Sequence, residues 1–200
     1  MAEKDTSSQI VAAARKRFQY FGYGKTSMAE IASDCGMSPG NLYRFFPGKL
    51  DIAESIATDD YKAYLERLGR LAARPDRSVR DKLRDLLIEG LRRTHARLEK
   101  DPRALELARV IAAERPDFSA WMSECERKLM IDLMEEAERR GEFSVADKIF
   151  TAETIQSATL KFRVPQLWSQ APLARLEREL DGVLNLLLEG LGANRALSHA

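Results

Sequence analysis

The side chains best spaced to do chemistry lie between Ser27 and Arg44. Ala32, a small residue in a helical stretch, precedes Gly36 by about one helical turn, and Ile31, Met37, Leu42 and Phe45 supply apolar positions around them. Such spacing builds two short helices joined by a tight turn. The small residue lets the second helix approach, glycine makes the turn, and the apolar residues pin both helices to one core. Ser38, Gly40, Asn41, Tyr43 and Arg44 are then left on exposed faces of the second helix. A face of that composition suits the major groove of DNA. The same spacing also fits an ordinary helical hairpin with a polar outer face, and by itself it leaves both readings open.

Covalent chemistry has no comparable constellation. The two histidines are His95 and the C-terminal His199, and the chain has neither a glycine-rich phosphate loop nor a nucleophile elbow, so no enzyme site can be assembled. Cys35 and Cys125 make neither a disulfide framework nor a CxxC metal site, and each reads as a small buried hydrophobe. No cofactor or metal is expected.

The elements that must hold these residues read as helix throughout, with no period-two alternation. A hydrophobic fraction of 44% allows a substantial core, and a charged fraction of 32% suits long helices. Ser7 or Ser8 is expected to cap a first helix carrying Ile10, Val11, Ala14, Phe18 and Phe21, which stops at Gly22-Tyr23-Gly24. Ser27-Met28-Ala29-Glu30 fits a capping box for a helix to about Asp34, and Ser38-Pro39 opens the next. After Pro47-Gly48 a long helix runs from about Leu50 to Ala73, and Arg74-Pro75-Asp76 breaks the chain. Further helices are expected from Val79, from Asp101-Pro102, from Pro116 to Gly141, from Val145 past Phe162, and from Pro172. The expectation is all-α, about nine helices, with three over 1–49, before the break at Pro47-Gly48 ends, and a larger helical region over 50–200.

Net charge is +1, too small to argue for a nucleic-acid partner, although the first fifty residues hold an excess of bases and the remainder an excess of acids. Ile10 to Ala14 is too short for a signal peptide and is followed by Arg15-Lys16-Arg17. The uncharged run Val164 to Ala174 falls short of the roughly 18 residues a membrane span needs. A soluble, cytoplasmic protein with no membrane partner is expected.

The stretch Phe18 to Asp51 orders a phenylalanine, a glycine-rich stop, Thr-Ser, Ile-Ala, a glycine turn, Leu-Tyr and Phe-Pro-x-Lys. In this it closely resembles the TetR family of repressors, over roughly the first 55 residues at motif level. The later run Lys-Phe-Arg-Val-Pro-Gln-Leu, with Leu-Glu-Arg-Glu-Leu beyond it, is similar to a recurrent C-terminal type of the same family. The resemblance implies phosphate contacts at Lys25, Thr26 or Ser27, Tyr43 and Lys49, groups whose charge or hydrogen bonding sets register without reading sequence. It implies base readout by Ser38, Pro39, Gly40, Asn41 and Arg44. Asn41 suits adenine and Arg44 guanine, although Arg44 also reaches a phosphate in some geometries.

The resemblance further makes 1–49 a helix-turn-helix DNA-binding domain and 50–200 a helical effector-binding and dimerisation domain, with a ligand cavity among the central helices and a homodimer made by the last two. Tyr64, Leu87, Leu91, His95, Leu105, Arg109, Trp121, Met122, Cys125, Phe162 and Trp168 are candidates for the cavity, taking an apolar, aromatic-tolerant effector. Arg92, Arg93 and Arg97 read as a solvated face, and Arg109 as a partner of Glu106 or Glu114 or of an anionic effector. Ile155, Leu180, Val183, Leu184 and Leu187 are candidates for the dimer interface, with part of the leucine set serving the chain's own core. The expected function is a repressor released from a palindromic operator by a small molecule. A ligand-independent regulator, an activator, and a helical interaction protein without regulated DNA binding are the alternatives.

Overall fold

A computed structural model describes residues 2–101, 103–163 and 171–197, the side chains of 2–4 and 191–197 excepted. Within them ten helices and no strand are present: α1 (Ala2–Phe21), α2 (Met28–Asp34), α3 (Pro39–Tyr43), α4 (Lys49–Ala72), α5 (Val79–Lys100), α6 (Ala104–Glu114), α7 (Pro116–Arg139), α8 (Lys148–Ala158), α9 (Leu160–Arg163) and α10 (Leu173–Leu197). None of the described helices is long and apolar enough to cross a membrane.

Two expected boundaries are corrected. Helix α1 begins at Ala2, so Ser7 and Ser8 lie inside it and cap nothing. The capping preference of serine is a local option, and upstream residues that continue the helix remove it. The single helix expected beyond Val145 is two. Asp147 caps α8 by accepting from the Phe150 amide at 2.9 Å. At its other end Thr159, 2% exposed, ends the helix: its hydroxyl donates to the Ile155 carbonyl at 2.7 Å. Ten helices therefore stand where nine were expected.

The chain forms two compact units, one of residues 1–64 and 97–122, the other of 65–96 and 123–200. The first has a core drawn from α1 (Ile10, Ala14, Phe18), α2 and α3 (Ile31, Ala32, Leu42), α4 (Ile52, Ile56), α6 (Leu107, Ile111) and α7 (Phe118). Helix α6 and the start of α7 thus share a core with the N-terminal helices, which burial makes worth about 1.5–3 kcal/mol per large side chain. The second unit buries Leu83, Leu86, Leu133, Met134, Phe143, Leu176, Leu180 and Leu184. One ion pair sits inside it: Lys82, 2% exposed, donates to Glu136 at 2.7 and 2.9 Å.

Candidate nucleic-acid interface

Helix α1 ends because Gly22 takes φ +92°, a left-handed conformation open to glycine. The Thr26 hydroxyl donates to the Gly22 carbonyl at 2.9 Å and closes the connection to α2. Ser27 then caps α2 reciprocally: its hydroxyl accepts from the Glu30 amide, and its own amide donates to the Glu30 carboxylate at 2.8 Å. These bonds, with Arg17 beside it, hold the Glu30 carboxyl below its ordinary value; the hydrogen bond from the Ser27 hydroxyl is the largest cause.

Gly36 turns the chain at φ +65°, and the Met37 amide donates to the Ala32 carbonyl at 3.0 Å. Ser38 caps α3 by accepting from the Asn41 amide at 3.2 Å, with Pro39 in the first turn. Ile31, Ala32 and Leu42 are fully buried where α2 meets α3. Phe46 (8% exposed) is the terminal pin, while the expected Phe45 is only partly buried. The spacing Leu42 to Phe46, one turn apart, carried that signal.

On this frame Lys25, Ser27, Ser38, Pro39, Gly40 and Arg44 are exposed, Tyr43 is 52% exposed and Asn41 is half-buried. A side chain added at Gly40 would meet no protein atom within 4 Å, so the backbone there is open to close approach. Three of the expected phosphate contacts have structural duties: Ser27, whose amide and hydroxyl both donate to the Glu30 carboxylate at 2.8 Å, Thr26 and Lys49. Thr26 is only 3% exposed, its hydroxyl committed to Gly22. The Lys49 ammonium donates to the carbonyls of Tyr23 and Thr26, both at 2.7 Å, and lies 4.2 Å from the centre of the Tyr23 ring. Two of its three donors are spoken for, and burial lowers its pKa against the opposing pull of Glu106 and Glu30.

Sequence reading missed the groups that brace this frame. Arg17 on α1 forks onto Asp34 at 2.5 and 3.0 Å and reaches Glu30 at 3.2 Å. Its guanidinium holds the Asp34 carboxyl below the ordinary range. Arg115 donates to Asp51 and Glu54 of α4 at 2.9 and 2.8 Å, and Arg103 and Glu106 reach the end of α1 and its connection to α2. These partners are 13 to 84 positions apart in sequence, and no local pattern relates them.

The expected effector residues divide between the units. In the first, Tyr64 (7% exposed) and Trp121 (37%) flank Tyr61, with ring centroids 5.7 and 5.4 Å away. The Tyr61 hydroxyl donates to the Met122 carbonyl at 2.6 Å. Leu105 is half-buried there and Arg109 exposed. In the second, Leu91 and Phe162 are buried, and Leu87, His95 and Cys125 are half-buried. Trp168 lies outside the described residues. The expected solvated arginine face carries ion pairs: exposed Arg92 pairs with Glu177 at 2.5 Å and half-buried Arg97 with Asp60 at 3.6 Å. Of the dimer candidates, Ile155, Leu180 and Leu184 are at most 3% exposed within the protomer, and Val183 and Leu187 are half-buried. Leu180 and Leu184 point into the chain's own core because they continue the stripe begun by Leu176.

Two family models match the chain. Residues 10–56 match the bacterial regulatory proteins of the tetR family, and residues 79–184 match a tetracyclin repressor-like C-terminal domain. The chain belongs to the TetR family of transcriptional regulators, with the helix-turn-helix formed by α2 and α3. Solved structures share the fold. A TetR/AcrR-family regulator from Thermobifida fusca is 24% identical, with a TM-score of 0.69 over 93% of this chain and 98% of that one. FadR of Thermus thermophilus, a repressor crystallised with lauroyl-CoA, is 20% identical, with a TM-score of 0.68 over 92% and 94%. SmeT of Stenotrophomonas maltophilia in complex with triclosan is 18% identical, with a TM-score of 0.64 over 93% and 91%. No curated protein sequence matches the chain.

Proposed function

We propose that this regulator is a repressor that binds a palindromic operator as a homodimer and leaves it when an apolar small molecule binds. The observation that carries the reading is the braced helix-turn-helix, whose outer surface offers Lys25 and Tyr43 for phosphates and Asn41 and Arg44 for bases, while Ser27 serves through its cap on α2. Pro39 and Gly40 contribute shape, and the Ser38 hydroxyl, which accepts from the Asn41 amide, keeps its own proton to donate. Lys49 keeps one donor for a phosphate, and Thr26 serves by holding the loop. Ile149, Phe150, Leu160 and Leu186, all more than half exposed, support a dimer surface on α8 to α10. Two copies would present their α3 helices about one DNA turn apart, which makes the operator a palindrome. The aromatic group of Tyr61, Tyr64 and Trp121 supports an apolar effector, in keeping with the lauroyl-CoA and triclosan held by the two relatives.

The test selects duplexes from a random library with the purified protein and titrates the winners by fluorescence anisotropy. A palindromic winner, bound by two chains and released by triclosan, by another apolar compound or by the acyl chain of lauroyl-CoA, is the expected result. A protein that retains no duplex at low salt sinks the reading.

A further inference from the structure

The connection from Gly22 to Ser27 carries Lys25, and α6 reaches into it. Glu106 accepts a hydrogen bond from the Gly24 amide through Oε1 at 2.9 Å. The same oxygen lies 3.2 Å from the place a Cβ on Gly24 would occupy, and Oε2 lies 3.0 Å from that place on Gly22. Gly22 needs its positive φ, but Gly24 shows none, so close approach of this carboxylate is the reason found for glycine at 24. Arg103, three residues before Glu106, donates to the Gln19 carbonyl at 3.0 Å and holds the end of α1 beside it.

Glu106 is exposed, and it stands next to a surface read as meeting phosphates. On charge alone its removal strengthens DNA binding, because a carboxylate repels phosphate. Its geometry argues the opposite sign. Lys25 follows Gly24 directly, so the Glu106 bond adds to the Thr26 and Lys49 bonds that hold this connection, and a loop fixed before DNA arrives loses less freedom on binding than a loose one.

We propose that Glu106 is a positioning residue for DNA binding, which acts through the Gly24 amide to hold the loop that presents Lys25 to the phosphate backbone. This rests on the reading of Lys25 as a phosphate contact.

The test uses the full-length chain and one duplex selected by the wild-type protein, titrated by anisotropy across a salt series. Glu106→Ala is expected to weaken binding about three- to tenfold and to flatten the slope of log K against log salt by part of the roughly 0.9 units that one phosphate contact is worth. Glu106→Gln keeps an acceptor for Gly24 while losing the charge, and is expected to bind at least as well as wild type. Lys25→Ala is the control, and Glu106→Ala in that background is expected to add little. If Lys25→Ala weakens binding while Glu106→Ala leaves it unchanged or tightens it, the inference falls and the phosphate reading stands. A Glu106→Gln variant as weak as Glu106→Ala also overturns the inference. If Lys25→Ala itself leaves affinity and slope unchanged, the phosphate reading falls and the inference with it.

Discussion

Lys49 shows how one side chain takes two duties. Its ammonium ties the start of α4 to the Tyr23 and Thr26 carbonyls, and its remaining donor faces outward in the reading proposed above. Lys49→Ala is therefore expected to cost about 2 kcal/mol of stability in urea titration, the worth of hydrogen bonds to a charged group, and to flatten the salt slope of DNA binding as well. Arg17 is a purely structural counterpart. Glu30 and Asp34 are held below their ordinary values of 4.5 and 3.8, with Arg17 contributing to both. A depressed carboxylate pKa means stability present above the unfolded value and lost as pH falls through the folded one. Arg17→Met is thus expected to lower the melting temperature at neutral pH, with the gap from wild type closing as pH drops beneath 3.8; a gap independent of pH would argue that packing alone is lost. Ser27, Glu30 and Ser38 were legible because caps are local, three residues from donor to acceptor. Arg17 was not, because its partners come from another helix.

Among the elements, the helix-turn-helix was legible almost completely and the later helices only in outline. Capping box, glycine turn and Ser-Pro start all act within one or two turns of chain, and all three stand where the spacing put them. The α8–α9 break depends instead on Thr159, a β-branched residue whose hydroxyl turns back to Ile155, and periodicity does not register that. Gly36 tests the turn directly. Its φ is +65° and an added Cβ would meet nothing within 4 Å, so Gly36→Ala is expected to cost roughly 1–2 kcal/mol from backbone strain alone, read by chemical denaturation. A neutral substitution would mean that the turn relaxes into another conformation.

For the whole molecule, α10 carries leucines of opposite exposure. Leu184 is buried in the protomer and Leu186 is 75% exposed two residues away. Leu184→Ala is expected to lower chain stability by about 3 kcal/mol through an unfilled cavity. Leu186→Lys is expected to leave the circular dichroism spectrum intact but shift sedimentation from dimer to monomer and weaken operator binding. A Leu186→Lys chain that still sediments as a dimer would place the interface elsewhere. The leucine stripe was visible in the sequence, but which leucines face inward depends on what packs against the helix. The sequence by itself determined the all-helical class, the helix-turn-helix and the face it exposes, because capping, turning and amphipathic spacing are local properties of the chain. Only tertiary structure decided that α6 and the start of α7 share a core with α1 to α4, and that Glu106 meets Gly24 across 82 positions. Such contacts are chosen by the packing of distant apolar faces and the pairing of the charges they carry along, and neighbouring residues hold no record of either.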